Sequence, residues 1–288
     1  VSSSGSLPFW MTSNQFGLMP QENGSLFLLQ AAGSGREEST VRLDWKASMA
    51  SSVELKGDSR VMVDELYASI GWKALSVDLG AKHKGGESLS LSRDLGSLSA
   101  TGGNVVWSGN SRSIPGYSLN LNGWKVPFTR DRVEVSGSFG DFRTLDSRYI
   151  DKALIHNTSA YVKVKAAKKL DVTIGFDHNA VWAGDVEAHE GLGRMPVNMT
   201  NYLRMALGMS AVGGSKSDSI NVIGNQLGRE LIRLDYSGFT LLGSEASLSL
   251  QHDIPYDDFS GTHFGNFPDG VTTLHLSLGG RRSWVTDI

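Results

Sequence analysis

Along most of the chain apolar and polar residues alternate with period two, the spacing that puts successive side chains on opposite faces of a β-strand. Val41, Leu43, Trp45, Ala47 and Met49 share one face, while Arg42, Asp44, Lys46 and Ser48 share the other. Leu75, Val77, Leu79 and Ala81 alternate with Ser76, Asp78, Gly80 and Lys82, and Val133 and Val135 alternate with Glu134 and Ser136. A hairpin is predicted where Val162, Val164 and Ala166 alternate with Lys163 and Lys165, the chain turns at 167–169, and Leu170, Val172, Ile174 and Phe176 alternate with Asp171, Thr173 and Asp177. Ala246, Leu248 and Leu250, then Leu274, Leu276 and Leu278, mark two later strands. About thirteen such segments are present, many near the roughly 10 residues that a tilted strand needs to cross a bilayer. The stretches 84–104, 142–156, 184–200 and 253–270 lack the pattern and are predicted to be loops. One helix is predicted over 199–209, where Leu203, Ala206 and Leu207 fall at helical spacing.

A soluble sandwich also alternates, because each sheet buries its apolar face against the other. It seldom carries Arg, Asp and Lys together on the opposite face of strand after strand, whereas the polar interior of a barrel accommodates them. No unbroken apolar stretch approaches the twenty residues of a transmembrane helix, so only a closed barrel would span a bilayer. No fixed-period repeat favours a solenoid or propeller. The expected fold class is therefore all-β: a transmembrane antiparallel β-barrel of the outer-membrane type. It is read as a single domain over 1–288, with at most one or two short helices in loops or a plug. Trp10, Trp45, Trp72, Trp107, Trp124, Trp182 and Trp284 lie mostly at or near strand ends, where such a barrel places its interfacial girdle. Core packing explains each of them equally well when taken singly.

Composition narrows the function classes. The 34 glycines and 7 prolines suit many strands joined by turns. The net charge of −3 is spread in small groups and leaves no basic face, which argues against nucleic acid as a partner. With no cysteine there is no disulfide framework and no thiolate metal site. Val1 to Gly5 is small and polar rather than a leader, so the numbering is read as beginning at or after a cleavage site. No nucleophile elbow, Walker loop or dinucleotide fingerprint occurs, and a non-enzymatic protein without a cofactor is expected.

Several segments, taken in order, resemble a known family. They are Pro8-Phe9-Trp10-Met11-Thr12-Ser13-Asn14-Gln15-Phe16-Gly17, Ser108-Gly109-Asn110-Ser111-Arg112-Ser113-Ile114-Pro115 and Gly224-Asn225-Gln226-Leu227-Gly228. Ser147-Arg148-Tyr149-Ile150 with Leu154-Ile155-His156 follows the same series, as does Gln251-His252 leading through Asp257-Asp258-Phe259-Ser260-Gly261 to Pro268-Asp269-Gly270. Their order and spacing are similar to the capsule assembly protein Wzi family in its Bacteroidetes form. The resemblance implies a barrel in the bacterial outer membrane, of up to eighteen strands when complete. It further implies that the barrel binds capsular or surface polysaccharide and helps attach or assemble it at the cell surface. Outer-membrane lipid and lipopolysaccharide would be its other partners. The strand count is lower than that, and Thr286-Asp287-Ile288 lacks an aromatic last residue, so the chain is expected to lack its C-terminal strands. A smaller complete barrel, a porin-like channel and a structural accessory subunit of an outer-membrane complex are the alternatives.

Sugars are bound by aromatic faces that stack on rings and by planar polar groups that bond hydroxyls, with cations added for an acidic polymer. Trp107, Asn110 and Arg112 form one candidate cluster; Arg143, Arg148 and Tyr149 form a second; His178, Asn179 and Trp182, at the end of a strand, form a third. The arginines serve equally well in a salt-bridge ladder. Asp185, Glu187, His189 and Glu190 lack the tight spacing of a zinc site, and Asp253, Asp257, Asp258 and Asp269 lack that of a calcium loop, so no metal site is expected.

Overall fold

The computed structural model describes residues 7–36 apart from 14, 21 and 23, then 41–54, 59–84, 107, 109–145, 150–185, 196–214, 219–258, and 261–279 apart from 262. The fold is all-β. Eleven strands are described: β1 Gly24–Arg36, β2 Val41–Glu54, β3 Ser59–Trp72, β4 Leu75–Lys82, β5 Ile114–Lys125, β6 Val133–Arg143, β7 Leu154–Ala167, β8 Leu170–Trp182, β9 Asn225–Leu241, β10 Ser244–Tyr256 and β11 Val271–Leu278. Each pairs antiparallel with its neighbours in sequence, making one sheet in the order β1 to β11. Among the described residues β1 and β11 are each paired on one side only. Among the described residues two short helices accompany the sheet, α1 Phe9–Thr12 and α2 Met199–Ala206. No described helix is long and apolar enough to cross a membrane.

The two faces have opposite chemistry, and the distribution is inverted relative to a protein that folds around a water-excluding core. Val61, Leu66, Ile70, Leu79, Ile174 and Leu274 are all more than half exposed, and Val162, Leu234 and Leu250 project from the same face. On the opposite face Ser118, Asn157, Thr173, Asp177, Asn179, Arg229 and Asp253 are buried. Contiguous apolar surface of this extent is rare on soluble monomers.

The two ends of the sheet also differ. At one end β3–β4, β7–β8 and β9–β10 are joined by two residues each, and β5–β6 by 126–132. At the other end β2–β3 are joined by the short segment 55–58, and the remaining connections are 83–113, 144–153, 183–224 and 257–270. Leu242 (φ 51°) and Gly243 (φ 80°) both take positive φ between Leu241 and Ser244, as a two-residue turn matched to strand twist requires. Glycine takes this conformation freely at the second position, and the leucine is strained at the first.

Strands extend further into the predicted loops than the alternation suggests. β6 runs through Phe142 and Arg143, β7 starts at Leu154, and β10 runs through Asp253 to Tyr256. On β6 and β7 the polarity of the faces switches there: Phe142 and Ile155 lie on the polar face against Trp107, while Asp141 and His156 on the otherwise apolar face are covered by α2. On β10 Ile254 and Tyr256 continue the apolar row as buried residues. Where the apolar residues change faces, the period-two signal is interrupted on β6 and β7 while the strands continue. The predicted helix over 199–209 forms over Met199–Ala206. Asn198 caps its start by accepting from the Asn201 amide at 2.9 Å.

Candidate functional site

The polar face of β4–β7 lines a cavity of about 390 Å³. Its wall is a ladder of hydroxyls and amides at alternate positions of adjacent strands. Asn120 Nδ2 donates to Asp78 Oδ2 at 3.1 Å, Asn122 Nδ2 to Ser76 Oγ at 3.0 Å, and Ser138 Oγ to Asn157 Oδ1 at 2.9 Å. Four cations, Arg42, Lys73, Lys82 and Lys84, line the cavity against two carboxylates, Asp78 and Glu134. Lys82 Nζ lies 3.3 Å from Asp78 Oδ2. The guanidinium of Arg42 reaches across Gly71, its cross-strand partner, where a Cβ would meet Arg42 Nε at 3.2 Å.

At the long-loop end the cavity is closed by Trp107. Its indole is buried and packs edge-on against Phe142 at 5.2 Å, with Ile155 completing the cluster. Trp107 Nε1 donates to Asn179 Oδ1 at 2.8 Å, and Asn157 Nδ2 donates to the same oxygen at 2.9 Å. The Lys84 ammonium sits 4.2 Å from the centre of the Phe142 ring, within cation–π range.

Behind the cavity, toward β10, stands a buried ionic cluster. Arg229 Nε donates to Asp177 Oδ2 at 2.9 Å, its Nη1 to Asp253 Oδ1 at 3.0 Å, and its Nη2 to Tyr161 Oη at 3.4 Å. The Tyr161 hydroxyl also donates to Asp177. The Tyr161 ring lies across Gly175, its cross-strand partner, in space that a Cβ would take, so an aromatic side chain covers the gap left by glycine.

A third group lies at the bulge in β3. There Asp64 is the extra residue opposite Ser48 and Met49, so that Asp64 and Glu65 both approach Ser48. His83 Nε2 lies 2.6 Å from Asp64 Oδ1, and Lys46 Nζ lies 2.5 Å from Glu65 Oε2. Asp64, Glu65 and His83 are close enough to hold an ion, but the Lys46 ammonium already supplies the positive charge against Glu65.

The predicted site residues are divided between the faces. Trp107 and Asn179 meet on the polar face at the cavity. His178 and Trp182 project from the opposite face, as alternation along β8 dictates. His178 bonds Gln226, and Trp182 is buried with Ala180, Met205, Ala211 and Ile223 beneath α2. Arg112 extends to β3, donating to Val63 O at 2.7 Å and contacting the Met62 sulfur. Asn110 is exposed beside the contact between Phe16 N and Gly109 O. Arg143 is exposed at the end of β6, while Arg148 and Tyr149, like Glu187, His189 and Glu190, lie outside the described residues. The sequence reading missed Asn120, Asn157, Lys82, Lys84 and Tyr161. The signal for most of them was available in the parity of β4, β5 and β7, because every second residue there belongs to the polar face.

No family model, curated protein or solved structure matches this chain.

Proposed function

We propose that the sheet is part of an outer-membrane β-barrel whose polar face binds an acidic polysaccharide at the cell surface without transforming it. The observation that carries the reading is the cavity on the polar face, where hydroxyl and amide groups line the wall and four cations outnumber two carboxylates. Such a wall offers paired hydrogen bonds to sugar hydroxyls, and the surplus ammonium and guanidinium groups complement uronate or phosphate substituents. The exposed apolar face and the contrast between short turns and long connections support the membrane part of the proposal. A place in the Wzi family and a role in capsule attachment follow from the sequence resemblance and belong to the same proposal.

The test is binding of a uronic-acid polysaccharide to detergent-folded protein, with dextran as the neutral control. Binding of the acidic polymer alone, weakened by Lys82→Ala and Asn120→Ala, supports the reading. Equal binding of both polymers, or of neither by folded protein, refutes it. A second reading, a porin-like channel, draws on the charges strung along the polar face from Arg42 to Asp253. Steady single-channel conductance in planar bilayers, together with no polysaccharide binding, favours that alternative.

A further inference from the structure

We infer that α2 and the adjoining segments 207–212 and 219–223 form an amphipathic sleeve seated in the hydrocarbon edge of the bilayer on the long-loop side. The inference rests on the membrane reading above. The apolar face of the sheet is unequal in height. On β2 and β3 exposed apolar side chains continue from Val41 to Val53 and from Val61 to Trp72, nearly the whole of each strand. On β8 the bare apolar run covers only Leu170 to Phe176, after which the same face carries His178. Seven residues at about 3.3 Å each extend about 23 Å along the strand. With a tilt near 40° they cover about 18 Å of membrane normal, short of an apolar band about 25 Å tall.

Beyond that point the face is polar, and the sleeve covers it. Tyr202 Oη donates to Asp141 Oδ2 at 3.0 Å and lies 3.3 Å from His156 Nδ1. Gln226 Nε2 donates to Ile223 O at 2.7 Å, and Met205 and Ile223 pack on Ala180 and Trp182. Asn201, fully buried, ties the helix down through Pro196 O at 3.0 Å and the Val212 amide at 2.9 Å.

The outer surface of the sleeve has the opposite character. Met199, Leu203 and Leu207 recur at every fourth position and are 70%, 53% and 66% exposed, and Val212 and Ile220 extend the patch. A helix lying on a protein in water turns such a row inward. Here the row turns outward, and the buried side holds Asn201, Tyr202 and Met205. Arg204, the only charged residue of α2, is engaged by the Ser210 carbonyl. The cover thus hides the polar part of the sheet and continues the apolar band, and acyl chains are the occupant that this continuity selects.

The chain has no cysteine, so single labels are clean. Nitroxides on Leu203→Cys, Ile174→Cys and Leu242→Cys, in protein reconstituted into phosphatidylcholine vesicles, are compared for collision with oxygen and with a water-soluble nickel chelate. At Leu203 the oxygen-to-nickel ratio is expected within about twofold of that at Ile174 and several-fold above that at the Leu242 turn. A water-like Leu203 beside a lipid-like Ile174 overturns the sleeve and leaves the membrane reading intact. A water-like Ile174 overturns the membrane reading itself. Protection of Leu203 from both reagents means a protein covers the helix, and overturns the lipid assignment.

Discussion

Replacing Arg229 with methionine tests whether the buried ionic cluster on the polar face is a balanced unit. Arg229, Asp177 and Asp253 have side chains 2%, 1% and 7% exposed, so neither carboxylate regains much water when the guanidinium is removed. At contacts of about 3 Å and an effective dielectric near 20, each ion pair holds about 5 kcal/mol of Coulomb energy. Removal of the shared cation leaves two buried carboxylates facing each other, and losses of about 3–5 kcal/mol are typical for breaking such an arrangement. The assay is equilibrium urea unfolding of detergent-folded protein, followed by tryptophan fluorescence. A companion carrying Arg229→Met, Asp177→Asn and Asp253→Asn removes all three charges and is expected to recover at least half of the loss, because neutral amides cost far less to bury than unpaired carboxylates. A loss below about 1 kcal/mol for Arg229→Met would place the cluster in the range of solvent-screened surface pairs and refute the reasoning. A triple variant no more stable than the single one would show that packing around the arginine, and not charge balance, is what matters.

Three further substitutions probe the rest of the molecule. Ile174→Lys, on the exposed apolar face, is expected to destabilise the protein in bilayers by about 2–4 kcal/mol; Leu242→Lys at the exposed turn should change nothing, and an equally silent Ile174→Lys would mean that this face meets water. Gly175→Ala places a methyl group where the Tyr161 ring lies and should cost about 1–3 kcal/mol by denaturant midpoint, whereas an unchanged midpoint would mean that the ring is free to move. Asn179→Ala strips the acceptor shared by Trp107 Nε1 and Asn157 Nδ2 and should cost about 2–3 kcal/mol, with a matching shift of the Trp107 fluorescence; a midpoint equal to that of the parent protein would count against a structural role for this junction.

The sequence by itself determined the strands and their two faces. A period of two is a local property, and Val41 to Met49 or Leu170 to Phe176 place their apolar residues on one side whatever their neighbours do. The helix at 199 was legible for the same reason, from Leu203, Ala206 and Leu207 at helical spacing. Parity alone would also have separated His178 from Asn179, since adjacent residues of a strand point to opposite faces. Only the tertiary structure decided which distant residues meet. Trp107 reaches Asn179 across 72 positions, and Tyr161, Asp177, Arg229 and Asp253 converge from four different strands. Register between strands, the bulge that brings Asp64 and Glu65 together, and the docking of α2 on the sheet are long-range choices. They arise from burial and hydrogen bonding between segments, so no window of sequence contains them. Where α2 covers Asp141 and His156 on one face and Trp107 packs on Phe142 and Ile155 on the other, the faces of β6 and β7 exchange polarity, and the strand ends could be placed only in three dimensions.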